Sequence, residues 1–131
     1  MRIQRGVRSI ATVGVTAALT LALVAGPARA DVTFQITPHS GPPGTIVHTH
    51  GTGLAYGVPP CGFFAYEITF DNPALGRDWP VYPDHTGAFH LKITIPHAAA
   101  RGESTISLYH VIMAHGYCVS FLLASRHFLV T

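Results

Sequence analysis

Between Phe63 and Phe70 the chain reads FFAYEITF, and from Phe64 onward every second residue is large and apolar: Phe64, Tyr66, Ile68 and Phe70 alternate with Ala65, Glu67 and Thr69. A repeat of two is the period of a strand that lays one face on a core, whereas a helix would need apolar residues at three- and four-residue spacings. The same period recurs in Val32, Phe34 and Ile36, in Val47 and Thr49, in Phe89, Leu91, Ile93 and Ile95, and in Ile106, Leu108, His110 and Ile112. Clusters of Gly, Pro and Asp separate these runs, and no long segment after residue 30 has helical period. The chain is therefore expected to be all-β, with about seven strands.

Two segments interrupt the pattern. Asp71 to His85 carries three prolines and no sustained alternation, which predicts a long loop or a short edge strand, because proline has no N–H to give to a central ladder. His97 to Arg101 is a helical turn at most. The closing run from Val119 to Val130 is apolar enough for one long strand or two short ones.

The first thirty residues differ in kind. Arg2, Arg5 and Arg8 precede an apolar run from Ile10 to Ala25, and Ala28-Arg29-Ala30 supplies a small-x-small cleavage pattern. This is the composition of a signal peptide, so residues 1–30 are expected to be a leader and residues 31–131 one exported domain. No second apolar segment long enough to span a membrane follows. Four of the eight basic residues lie in the leader, and all six carboxylates lie after it. Arg77, Lys92, Arg101 and Arg126 then stand against Asp31, Glu67, Asp71, Asp78, Asp84 and Glu103, and four against six leaves −2. That balance argues against nucleic acid as a partner. Cys61 and Cys118 both fall in the exported part, where an even count predicts a disulfide.

The run ITPHSGPPGTIVHTHGTGL, residues 36–54, resembles the start of bacterial immunoglobulin-like modules of the IPT/TIG type, with its I-x-P-x-x-G-x-x-G-T-x-V-x-x-x-G-x-G pattern. The later PDHTGAFHLKITIPHAAARGESTISL resembles the second half of such modules, where a D-x-x-G-x-F turn leads into a strand ended by proline. The resemblance implies an immunoglobulin-like β-sandwich and a binding or cell-surface role without chemistry. The same runs are similar to the neocarzinostatin-type apoproteins, which would imply a carrier of a small apolar ligand. Those proteins have two short-range disulfides, whereas Cys61 and Cys118 are far apart.

Candidate functional residues fall into two groups. All nine histidines lie after the leader, and His48 and His50, at i and i+2, aim from one strand face. If that strand pairs with the one carrying His90, the three imidazoles meet, either as a metal site or as a solvated sheet face. His110, which shares a face with Ile106 and Leu108, is expected to be a core histidine satisfied by a hydrogen bond. The second group is Tyr56, Trp79, Tyr82 and Tyr117, aromatics in turn-rich segments that are suited to stacking on a sugar or anchoring a protein, or to capping the core. No catalytic motif of serine hydrolases or zinc peptidases appears, so an enzyme is not expected and no cofactor is implied. The expected product is a secreted, extracellular, non-catalytic module with a protein or carbohydrate ligand at the cell surface.

Overall fold

The computed structural model describes residues 31–131; the leader expected at 1–30 lies outside the described residues. Eight strands form: β1 (Thr33–Thr37), β2 (Ser40–Gly41), β3 (Ile46–Thr52), β4 (Tyr66–Asn72), β5 (Leu75–Val81), β6 (Phe89–Thr94), β7 (Gly102–Ala114) and β8 (Tyr117–Val130). They make two sheets, β1-β3-β6 and β2-β8-β7-β4-β5, an all-β arrangement compatible with a β-sandwich. The strand added to the expected seven is β2, two residues in the turn-rich segment after Pro38. It pairs in parallel with Leu129 and Val130 and so moves the chain from the first sheet to the second.

Alternation decides which side of each strand is buried. β1 reads exposed-buried along its length, with Phe34 and Ile36 inside, and β3 does the same with Val47, Thr49 and Gly51. From the other sheet Tyr66, Ile68, Phe70, Ile106, Leu108, Phe128 and Val130 join them in one core. Complete burial of a Phe or Ile side chain contributes roughly 1.5–3 kcal/mol. Thr49 is the polar exception, and its hydroxyl donates to Leu91 O at 2.8 Å. Gly51 has no substitute, because a Cβ there would collide with the Thr33 carbonyl and the Phe89 ring.

Of the two forms expected for the proline-rich Asp71–His85 segment, loop or edge strand, it takes the edge strand: β5, seven residues long, is paired along its length with β4. It tolerates Pro80 because it is the outer strand of its sheet. The alternation that begins at Phe64 outruns its strand: β4 starts only at Tyr66, and Gly62, at φ 74°, turns the chain just before it. His110 does sit beside the core, stacked on Tyr66 with ring centroids 4.7 Å apart, but its buried Nε2 has no hydrogen-bond partner among the described residues.

The second sheet also continues past the core. β4 matches β7 only as far as Tyr66 opposite His110, so beyond that point β7 and β8 pair with each other. A bulge lies here: Leu108 faces Ala124 and Tyr109 faces Leu122, leaving Leu123 as the extra residue. One extra residue reverses which face the following side chains take. Phe121, Leu122 and Met113 are exposed on this extension.

Candidate functional site

At the end of the molecule from which the β7–β8 hairpin extends, residues 53–65 form a long connection between β3 and β4. Several contacts fix it. Leu54 N donates to Gly87 O at 3.1 Å, Ala55 N donates to the Tyr66 hydroxyl at 3.0 Å, and Cys61 is bridged to Cys118 of β8. Past the bridge, Val111 N donates to Ala65 O at 2.7 Å. The turn that holds Leu54 is itself organised by Asp84, whose Oδ1 accepts from Thr86 N, from the Thr86 hydroxyl and from Ala88 N at 2.6–3.1 Å. Those bonds hold the Asp84 carboxyl below its usual 3.8.

The tethered loop does not collapse onto the sheet. It leaves a groove of about 310 Å³ with Tyr66 and Val81, cross-strand neighbours, at its base. Tyr56, Val58, Pro60 and Phe63 line it on the loop side, and Tyr82 and Pro83 on the other. Among the described residues, no charged side chain lines it. Its rim is fully presented: Phe63 is 90% exposed, Tyr82 69% and Tyr56 65%. Large aromatic rings held out in water by a stapled loop form a surface organised before any ligand arrives.

No protein-family model matches the chain, and no curated protein is significantly similar to it.

The four aromatics singled out from sequence do not form one cluster. Tyr56 and Tyr82 share the groove. Tyr117, 74% exposed, stands at the hairpin tip next to Cys118 and does not line it. Trp79 is half-buried on β5, packed against the core and with the Arg77 guanidinium 5.9 Å from its ring centroid. Phe63 was missed as a binding residue because the alternating pattern assigned it to a strand. The available signal was Pro59-Pro60 and Gly62 immediately before it, which favour a turn over a ladder.

The histidine face assembles as the pairing predicts. His50 lies opposite His90 and His48 opposite Lys92, all on the outer side of the three-stranded sheet. Ring centroids are 5.6 Å apart for His48 and His90 and 6.5 Å for His50 and His90. Among the described residues, no three His, Cys, Asp or Glu side chains are gathered closely enough to hold one metal ion. On the outer face of the second sheet, Glu67 is pushed above its usual 4.5, chiefly by burial and then by the Asp78 carboxylate; the Ser120 hydroxyl acts in the opposite sense.

Proposed function

We propose that this chain is an exported, non-catalytic binding module with an immunoglobulin-like fold, and that it binds its ligand in the groove bounded by Tyr56, Phe63 and Tyr82. The observation that carries the proposal is the exposure of those rings on a loop fixed at Cys61 and at both ends of its path. Burying an exposed ring recovers free energy in proportion to its apolar area, and a tethered loop loses little further freedom in doing so. A neutral lining favours a neutral occupant, either the ring face of a sugar or an apolar side chain of a surface protein. The disulfide is compatible with an extracellular location. No helix among the described residues is long and apolar enough to cross a membrane.

The carrier reading uses the same groove and differs only in occupant, a free apolar molecule in place of a chain. A metal-binding role has weaker support, since three imidazoles share a face without enclosing a common point. The test is equilibrium binding of the purified protein to a panel of neutral oligosaccharides, Phe- and Tyr-bearing peptides and apolar dyes, compared with a Tyr56→Ser/Phe63→Ser variant. At least one probe is expected to bind and to lose about tenfold in affinity in the variant, a change of roughly 1.4 kcal/mol. Binding that survives both substitutions, or no binding by any probe, would contradict the proposal.

A further inference from the structure

A second concavity lies where the outer strands of the two sheets, β5 and β6, run beside each other. This trough, of about 660 Å³, is separate from the aromatic groove and shares no lining residue with it. Leu75, Arg77 and Trp79 line it from β5, Lys92 and Thr94 from β6, and His97 from the connection that follows.

Charge distinguishes it from the rest of the surface. Residues 31–131 hold only four Lys or Arg side chains, outnumbered by six carboxylates, yet two of the four line this trough and no carboxylate does. Asp78 lies between Arg77 and Trp79 in sequence but alternates onto the opposite face, beside Glu67. His97 is positioned by its turn: Gly44 N donates to Ile95 O at 2.7 Å, and a Cβ on Gly44 would come within 3.0 Å of the His97 imidazole. An acidic stretch such as residues 31–131 that gathers half of its own permanent cations in one concavity has a local field there favouring an anion.

Trp79 narrows the class of anion. A bare phosphate or sulfate has no use for a half-buried indole, and an aspartate or glutamate side chain brings its carboxylate on a flexible stem. A uronic acid carries a carboxylate and an apolar C–H face on the same rigid ring. We propose that the trough binds acidic saccharides of the uronate type, with the sugar ring beside Trp79, whose face Arg77 already partly covers, the carboxylate between Arg77 and Lys92, and Thr94 within the same lining as a hydroxyl partner.

The sequence contains a single tryptophan, so its fluorescence reports this trough. The probe is tri-galacturonate, titrated into the purified protein, with the neutral galactose trimer as the matched control. A saturable change in tryptophan emission is expected with the acidic trimer and not with the neutral one. Arg77→Gln/Lys92→Gln should weaken binding about tenfold or more, as loss of charge-assisted contacts implies, and added salt should weaken it progressively. Phe63→Ser should leave the titration unchanged, which separates this site from the aromatic groove. Unchanged circular dichroism establishes that the double variant is folded. The proposal is overturned by no emission change with tri-galacturonate, by an equal response to the neutral trimer, by affinity retained in the double variant, or by equal affinity for a short poly-glutamate or for inorganic sulfate.

Discussion

The three-stranded sheet and the far end of the five-stranded sheet use similar residues to opposite ends. In β1 and β3 every apolar side chain except Ile46 points inward, and the other outward positions carry Thr, Gln or His, so the sheet is used up in making a core. Beyond Tyr66 and His110 the second sheet is only partly covered: Val111 is buried, but Met113, Tyr117, Phe121 and Leu122 stand in water together with Phe63 of the stapled loop. An apolar side chain stabilises the fold only where another layer covers it, and where none does it remains available to a ligand.

Phe70 and Phe63, seven positions apart, sharpen that contrast most. Phe70 is fully buried and Phe63 is 90% exposed. Phe70→Ala should lower the unfolding free energy by about 3–5 kcal/mol in urea titrations, whereas Phe63→Ala should change it by less than about 0.5 kcal/mol. Equal effects would erase the distinction between the two regions. Next in size is Cys61→Ser/Cys118→Ser. The bridge spans a separation of 57 residues, and its loss is expected to cost up to about 4 kcal/mol in the chain-entropy account. Amide exchange in residues 55–65 should accelerate more than in β1 and β3, since the bridge tethers the loop and not the three-stranded sheet.

Asn72 sits at the opposite end of β4 and gives a smaller effect. Its side chain donates to Ala100 O at 2.9 Å and to the Ser104 hydroxyl at 2.8 Å, and accepts from Ala74 N and Ala100 N. Asn72→Leu leaves those groups without partners and should cost about 1–3 kcal/mol by urea titration, without altering binding in the distant groove. The smallest effect concerns Glu67. Its raised pKa means that the folded chain holds the proton more tightly than the unfolded chain, so stability falls as pH rises above 4.5 through the folded value. Glu67→Gln removes that fall, and the variant should melt higher than the parent at pH 7 and level with it near pH 4.

Much of the fold is written in period-two patterning. Phe34 and Ile36, Val47 and Thr49, and Ile68 and Phe70 announce their strands locally, because a strand with one buried face needs no information from elsewhere to alternate. β5 was harder to see, since Pro80 is acceptable only to a strand with a free edge, and which strand lies at the edge is a property of the whole sheet. The His48, His50 and His90 face followed from one correct pairing of β3 with β6. The groove did not. Trp79 and Tyr82 are three residues apart, yet Val81 fills the core between them and they serve different concavities. Phe63 depended on where β4 begins, which Gly62 and the Cys61 bridge decide jointly. The His110 Nε2, without a hydrogen-bond partner among the described residues, is equally nonlocal: its stacking on Tyr66 is set by register, and nothing in its own run marks the missing partner.

Binding of neutral ligands at the exposed aromatic end is open to amide chemical-shift mapping with two small neutral probes, indole and methyl β-glucopyranoside. Shifts should concentrate at residues 55–66 and 81–83 for at least one probe and vanish in Phe63→Ser/Tyr82→Ser. Shifts confined to the outer face of β3 and β6, or shifts at the groove that persist in that variant, would contradict binding there.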